Sequence, residues 1–125
     1  LGAVNTVDRI IDIFPPNQQQ QIRVQLAMLL RSVISQQLVP TEDGGVAPVF
    51  EVMHVNNAIR NMIRESKAHQ IDSVIGTSAA EGMTSMDSSL LDLYKKGAIS
   101  EDTALRYSLV PEMMTRRLEG CKTKR

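Results

Sequence analysis

The chain has 125 residues, with fourteen basic and fourteen acidic residues and a formal net charge of zero. This length suits one domain, and the balanced charge argues against a protein that coats nucleic acid or an anionic membrane. Aromatic residues make up only 3% of the chain, so the core must consist of aliphatic residues and methionine, which favours packed helices over a β-sandwich. No apolar run approaches the roughly 20 residues of a membrane-spanning helix, so we expect no transmembrane segment.

The first third of the chain contains two helical patterns separated by a proline pair. Apolar residues recur with helical spacing over Val4–Phe14, and Pro15 and Pro16 end this pattern. Proline also suits the first turn of a helix, so we expect a second helix over about Gln18–Val33. The apolar stripe of this second helix is broad, which indicates that it is covered on more than one side.

A β-hairpin is predicted after the second helix. The segments Ile34–Leu38 and Val46–Val55 are rich in β-branched residues, and the Asp-Gly-Gly turn within Thr41–Gly45 separates them. Pro40 and Pro48 lie near strand ends or on an edge, where a missing N–H donor is tolerated. Because a two-stranded hairpin is marginal by itself, we expect it to join a larger sheet or to lie on helices.

The second half of the chain predicts five short helices joined by polar turns. Asn56 or Asn57 is a suitable N-cap for the first of them, and Thr84 with Asp87 forms a capping box for the third. Glycine and proline mark several of the helix ends. The expected helices are Ala58 to about Ser66, Ile71 to near Gly82, Met86 to near Gly97, Ser100 to about Tyr107, and Glu112–Glu119 after Pro111.

No complete catalytic site is visible in the sequence. The chain contains neither a G-x-x-x-x-G-K-[ST] phosphate loop nor a G-x-G-x-x-G, H-E-x-x-H or G-x-S-x-G motif. The acidic pairs Asp8 with Asp12 and Asp87 with Asp92 have helical spacing, and we expect these carboxylates to lie on solvated faces. The sequence therefore predicts no catalytic residue.

Cysteine and histidine usage predicts neither a disulfide nor a metal site. Cys121 is the only cysteine, which fits a reducing, cytoplasmic compartment. His54 and His69 lie in different expected elements, and no zinc-ligand spacing occurs. The chain begins at Leu1 rather than at methionine, without a signal peptide ahead of the first helical pattern, so we expect a fragment of a longer protein.

A helix-turn-helix is the one nucleic-acid-binding motif that the spacing allows. Two expected helices flank Gly97, and the second would have to contact DNA. That helix begins with Glu101 and Asp102, where phosphates would lie, and offers only Arg106 to contact a base. We therefore expect no nucleic-acid partner.

Several segments together resemble a known family. The segments are "AIRNMIRE", "KAHQIDSVI", "GMTSMDSSLLDLYKKGAIS" and "PEMMTRRL", preceded by "NTVDRIIDIFPPNQQQQIRVQLAMLLRSVISQQLVP". In this order and spacing they resemble the C-terminal part of the type IV pilus retraction (twitching motility) ATPases, the PilT family of the secretion ATPase superfamily. The resemblance extends over Ala3–Leu118 and implies the last part of a hexameric motor that couples ATP hydrolysis to pilus disassembly.

The resemblance assigns a retraction motif to the stretch "AIRNMIRE". The family's AIRNLIRE differs at one position, where Met62 replaces leucine, and such a volume-conserving change should cost little. The family usually continues with glycine where this chain has Ser66, so the helix could end differently here. The motif residues are Ala58, Ile59, Arg60, Asn61, Met62, Ile63, Arg64 and Glu65.

The two arginines of this motif lie one helical turn apart. Arg60 and Arg64 should project together and repel each other mildly, while the apolar residues Ile59, Met62 and Ile63 anchor the helix on the helical C-terminal bundle. A partner carboxylate on a neighbouring subunit or on the pilus machinery would compensate the two charges, and Glu65 or Asp72 of this chain could do the same. We expect this helix to couple nucleotide-driven motion to retraction, with a merely structural helix as the alternative.

The resemblance also implies the ligands and location of the longer parent protein. The parent should bind ATP and Mg²⁺, but the family's Walker A, Walker B, Asp and His boxes precede residue 1, so we expect no cofactor and no ATPase activity for the fragment alone. The parent should form a homo-oligomeric ring, a hexamer. It should be cytoplasmic, peripheral to the inner membrane at the pilus base, and should contact the inner-membrane machinery of the pilus.

These expectations define an α-rich α+β fold. Residues 1–55 should be the trailing part of a RecA-like P-loop ATPase core, residues 56–119 a bundle of short helices, and residues 120–125 a disordered tail. Without the rest of the core, the hairpin and the second helix should have uncovered apolar surface, which favours self-association. Two alternatives remain: a pilus-assembly or type II secretion ATPase, which should lack the AIRNMIRE match, and a non-enzymatic helical adaptor.

Overall fold

The structure, a computed structural model, describes residues 2–123. Seven α-helices and one antiparallel hairpin are present in this range, which confirms the α-rich α+β class. Two short 3₁₀ turns flank the fourth helix, at Ala68–Gln70 and Ala79–Glu81. The elements in chain order are α1 (Ala3–Asp12), α2 (Pro16–Leu29), β1 (Ser32–Pro40), β2 (Val46–His54), α3 (Asn57–Arg64), α4 (Ile71–Thr77), α5 (Met86–Lys95), α6 (Glu101–Tyr107) and α7 (Pro111–Thr123).

The second helix ends one turn earlier than its apolar stripe predicts. Leu30 adopts an extended conformation with ψ of 130°, and β1 begins two residues later. Val33, expected at the end of the helix, lies in β1 and packs against the buried core. The β-branched pair Val33 and Ile34 favours the strand. The apolar run continues across the end of the helix into the strand, so its spacing fits both the helical and the strand period.

The hairpin has a regular register from the pair Ser32 and His54 to the pair Pro40 and Val46. Side chains alternate, so that one face of the hairpin packs on helices and the other is open to solvent. Val39 and Met53 are fully buried on the inner face. The outer face bears large apolar side chains that are 41–68% exposed, namely Ile34, Leu38, Val46 and Phe50.

The core consists of two apolar clusters that share the hairpin. The first joins α1, α2, α3 and α4 to Met53 near the open end of the hairpin. The second joins α5, α6 and α7 to Val39 and Val49 near its turn. Because α3 and α4 pack with α1 and α2, the packing of this chain does not divide at residue 55, and the expected boundary there stays a prediction about the parent protein.

A buried carboxylate joins the first helices of both clusters. Glu51 of β2 is 1% exposed, and its Oε2 accepts a hydrogen bond of 2.6 Å from the amide of Ala3 at the start of α1. Its Oε1 accepts a 3.3 Å hydrogen bond from the amide of Met86 at the start of α5. The amides at a helix N-terminus lack intrahelical partners and favour negative charge. Glu51 therefore supplies acceptors to two helices at once.

Three further helix ends differ from expectation, and one of them is the end of α4, which stops at Thr77 and not near Gly82. Ser85, not Thr84, caps α5, because its side chain accepts the amide of Ser88, while the backbone of Thr84 pairs with Val52 of β2. The final helix α7 extends to Thr123, so the disordered tail expected from residue 120 is wrong up to that residue. The last two tail positions, 124–125, lie outside the described residues.

Candidate functional site

Helix α3 contains seven of the eight residues of the predicted retraction motif, and the eighth, Glu65, is its C-cap. Asn56 caps the helix, because its Oδ1 accepts a 2.9 Å hydrogen bond from the amide of Ile59. Ile59 and Ile63 are at most 1% exposed, and Met62 is half-buried. All three pack in the first apolar cluster. This cluster joins α1 and α2 as well as α4, so α3 packs on the first part of the chain as well as on the expected helical bundle, and Ala58 is exposed.

The end of α3 has the backbone geometry that glycine usually provides. Ser66 has φ of 63°, the only positive φ at a non-glycine residue within residues 2–123. Its amide donates to the carbonyl of Ile63, and the amide of Lys67 donates to the carbonyl of Met62 across 2.7 Å. These two bonds form a Schellman motif, whose left-handed position favours glycine. The helix thus ends in a glycine-type turn despite the serine.

The two arginines of the motif have different environments. Arg60 is half-buried, and its Nε donates a 3.1 Å hydrogen bond to the carbonyl of Ala27 in the last turn of α2. That carbonyl has no partner within its own helix, and a cation is favourable at a helix C-terminus. Gln20 of α2 donates in return to the carbonyl of Arg64 across 3.2 Å. Each of the two helices thereby satisfies a terminal carbonyl of the other.

Arg64 is exposed, and its guanidinium donates only to the side chain of Asn61 one turn earlier. Neither arginine forms an ion pair with a carboxylate of residues 2–123. Glu65, expected as one possible partner, pairs with Lys67 at 3.7 Å instead. Asp72, the other candidate, forms no ion pair either. Within the described range, Arg64 is therefore a cation held in place by the helix and free to meet a carboxylate elsewhere.

Two asparagines orient the arginines, whereas the sequence predicts Asn57 only as a possible N-cap and Asn61 only as a motif residue. Asn57 accepts a 2.8 Å hydrogen bond from Arg60, and Asn61 accepts one from Arg64. Both pairs have i, i+3 spacing, which places the side chains next to each other on a helix. The repeat of asparagine three residues before arginine was visible in the sequence and could have indicated these contacts.

A second concave feature lies between α4, the start of α5 and the start of α7. This cleft has a volume of about 570 Å³ and contains the carboxyl groups of Glu51, Asp72 and Asp87. Burial raises the pKa of Glu51 and of Asp72 above their usual range, and the nearby carboxylate of Asp87 raises both further. Glu51 and Asp72 therefore resist ionisation in this cleft.

Asp87 corrects one sequence expectation. It is buried, whereas its expected partner Asp92, like Asp8 and Asp12, is exposed as predicted. The carboxylate of Asp87 accepts hydrogen bonds from the side chain of Ser108 at 2.7 Å and from the amide of Leu109 at 2.9 Å. It thus holds the connection between α6 and α7 and does not cap α5 through a capping box.

Residues 2–123 offer neither a metal site nor a membrane-spanning helix. No group of three or more His, Cys, Asp or Glu side chains is placed to hold a metal ion in this range. None of its helices combines the length and the apolar character that a membrane crossing requires.

Comparison with known proteins gives the family. The chain is 44% identical over 115 residues to the twitching motility protein of Neisseria gonorrhoeae, covering 91% of this chain and 31% of that protein. It is 40% identical over 111 residues to the type IV pilus retraction ATPase PilT of Pseudomonas aeruginosa, covering 89% of this chain and 32% of that protein. The chain is homologous to the C-terminal part of the PilT-type ATPases. It spans about a third of the length of these PilT relatives.

Solved structures agree with this relationship. A crystal structure of the pilus retraction motor PilT with bound ADP matches with a TM-score of 0.79 and 39% identity, covering 91% of this chain and 32% of that one. The ATPase DotB of Legionella pneumophila matches with a TM-score of 0.63 at 20% identity, which shows a shared fold. No protein-family model matches the chain.

Proposed function

We propose that this chain is the C-terminal part of a hexameric ATPase that drives type IV pilus retraction, and that α3 couples the motor to its output. The proposal is supported by the identity of 40–44% to a twitching motility protein and to PilT. It is also supported by the position of the AIRNMIRE stretch, seven of whose eight residues lie on α3, which packs against α2. The residues assigned to coupling are Ala58, Ile59, Arg60, Asn61, Met62, Ile63, Arg64 and Glu65.

The observation that carries the coupling proposal is the difference between the two arginines. Arg60 is bonded within the chain, to the carbonyl of Ala27, and serves to fix α3 on α2. Arg64 is exposed and has no carboxylate partner in the described range. A cation on a rigid helix, held by Asn61 and backed by a buried apolar face, is suited to transmit a displacement to a carboxylate on another protein surface.

In this proposal, ATP is bound and hydrolysed by the longer parent protein. Phosphoryl transfer needs a phosphate cradle and a bound metal ion, and the parent would bind ATP and Mg²⁺ in segments that are not part of this sequence. The chain alone would neither bind nor hydrolyse ATP. The parent would act in the cytoplasm as a hexameric ring, peripheral to the inner membrane, against the membrane machinery of the pilus.

The test is a pair of single substitutions in the full-length parent, assayed separately for ATP hydrolysis and for pilus retraction. Arg64→Ala should leave hydrolysis within about twofold of the wild-type rate and abolish retraction, since it removes only an exposed cation. Arg116→Ala is a matched control, because Arg116 is an exposed arginine of α7 outside the motif. It should affect neither assay.

Three results would count against the coupling role of Arg64. Normal retraction by Arg64→Ala would exclude it, and so would an equal loss of retraction in the Arg116→Ala control. Parallel loss of hydrolysis and retraction, with a lowered melting temperature, would assign α3 a structural role instead. Arg64→Lys keeps the charge without the planar fork, so partial rescue by lysine would indicate that charge alone supports coupling.

A further inference from the structure

The cleft beside α4 is distinct from the surface that presents Arg64. It opens between α4 and the first turn of α7, and its volume of about 570 Å³ is within the range of roughly 300–1,000 Å³ typical of ligand pockets. Its lining includes the buried Glu51 together with Asp72 and Arg117.

The charge of this cleft is unbalanced. Three carboxyl groups, those of Glu51, Asp72 and Asp87, line it together with one guanidinium, that of Arg117, and the imidazole of His69. Arg117 donates to the side chain of Ser88 across 3.1 Å and forms no ion pair within the described residues. Carboxyl groups therefore outnumber basic groups in the cleft, and none of the three forms an ion pair within residues 2–123.

The three acids differ in what they already bind. Both oxygens of Glu51 accept helix amides, and both oxygens of Asp87 accept donors from the α6–α7 connection. Asp72 has no hydrogen bond and no ion pair within residues 2–123, and it lies in the first turn of α4 where its side chain is reachable. It is the acid of the cleft that is available to a ligand.

The rim of the cleft is apolar and open to solvent. Val110 and Met113 are 40% and 51% exposed, and Leu109 lies beside them in the same cleft. Exposed apolar side chains next to a concave surface mark a site of interaction with another molecule. Methionine in particular adapts to the shape of a partner.

We propose that this cleft binds a basic amphipathic segment of a partner protein, with a lysine or arginine at Asp72 and apolar side chains against Val110 and Met113. Charge complementarity selects a cationic head, because the acids outnumber the single arginine. The apolar rim selects a ligand with an attached apolar body, which a metal ion or a small polyamine lacks. A helix or loop that places one basic residue beside two apolar ones meets both requirements.

The proposal is tested with a labelled peptide probe. The probe is a fluorescein-labelled helical peptide of roughly 14 residues, about four turns, with lysine on one face and leucine on the other. Fluorescence anisotropy with the 125-residue chain should show binding that weakens between about 50 and 300 mM salt. A peptide with glutamate in place of lysine should not bind.

Substitutions locate the site on the chain. Asp72→Asn and Met113→Ser should each weaken binding of the lysine peptide by about fivefold to tenfold, since one removes the charge and the other the apolar contact. Asp92→Asn is the matched control, because Asp92 is an exposed acid of α5 outside the cleft. It should bind like the wild type. Carboxyl NMR should show that the peptide lowers the pKa of Asp72.

Three outcomes would overturn the proposal. They are no binding of the lysine peptide, equal weakening by Asp92→Asn and Asp72→Asn, and binding of the glutamate peptide with similar affinity. If the apparent affinity for the peptide falls as the chain concentration rises, a second copy of the chain competes with the peptide for the cleft. That result would assign the cleft to a second copy of the chain instead of a partner.

Discussion

The guanidinium of Arg60 donates a 3.1 Å hydrogen bond to the backbone carbonyl of Ala27, and this bond joins α3 to the last turn of α2. A hydrogen bond from a charged donor contributes about 1.5–3 kcal/mol. Arg60→Ala should therefore lower the free energy of unfolding of the chain by roughly 1–3 kcal/mol. Arg64→Ala should change it by less than about 0.5 kcal/mol, as is usual for an exposed position. Urea denaturation measures both, and equal effects would contradict the division of roles between the arginines.

The left-handed turn after α3 predicts a stabilising substitution. Ser66 has φ of 63°, a conformation that costs a residue with a Cβ about 1–2 kcal/mol relative to glycine. Ser66→Gly should raise the free energy of unfolding by about 1 kcal/mol. Ser73→Gly, in the middle of α4, is the control and should lower it by about 0.5–1 kcal/mol. A melting temperature that falls in both variants would contradict the Schellman geometry.

Glu51 should be among the residues most sensitive to truncation. Glu51→Ala leaves the buried amides of Ala3 and Met86 without an acceptor, and each such loss costs about 1–3 kcal/mol. We expect a destabilisation of roughly 2–5 kcal/mol, with a smaller loss in Glu51→Gln, which keeps one acceptor oxygen. Glu42→Ala, at an exposed position, should stay within about 0.5 kcal/mol of the wild type. Denaturant titration of the three variants measures these losses in the free energy of unfolding. Similar losses in all three would contradict the importance of the two hydrogen bonds.

The acidic cleft predicts how stability depends on pH. Burial raises the pKa of Asp72 in the folded chain, so the folded state keeps a proton that the unfolded state loses near pH 4. As pH rises from about 4 through the raised folded pKa, this group therefore lowers the free energy of unfolding. Asp72→Asn removes the effect, so the variant should gain stability relative to the wild type between acidic and neutral pH. Thermal melts across this pH range measure the difference, and a constant difference would contradict it.

The outer face of the hairpin predicts self-association of the isolated chain. Ile34, Leu38, Val46 and Phe50 form an exposed apolar surface on a two-stranded sheet, and such surfaces associate. Leu38→Lys should lower the apparent association constant at least about tenfold, because it places a charge in that surface. Ile13→Lys, at an exposed apolar position outside the hairpin, is the control. Sedimentation equilibrium compares the two, and equal effects would place the contact elsewhere.

Much of the fold could be predicted because its signals are local. Apolar spacing, the Asp-Gly-Gly turn and the caps at Asn56 and Ser100 each act within a few residues. The end of α2 was missed because the apolar run continues from Leu30 into Val33 without a break in composition. There the change from helix to strand depends on pairing with β2, which lies about twenty residues later.

The sites were predictable only in part. The motif residues followed from the resemblance, and the burial of Ile59 and Ile63 followed from helical spacing. The partner of Arg60 did not, because Ala27 lies 33 residues away and acts through its backbone. Glu51 left one signal, since it occupies an inward position of β2 between Val49 and Met53. Asp87 left none, because its donors come from the connection before α7.

The hairpin shared by the two apolar clusters determines how the chain unfolds. Val49 packs in one apolar cluster and Met53, four residues along the same strand, packs in the other. Neither apolar cluster can unfold without disrupting the hairpin on which the other cluster packs. Denaturation should therefore be a single cooperative transition without a populated half-folded intermediate, and the most slowly exchanging amide protons should lie along β2.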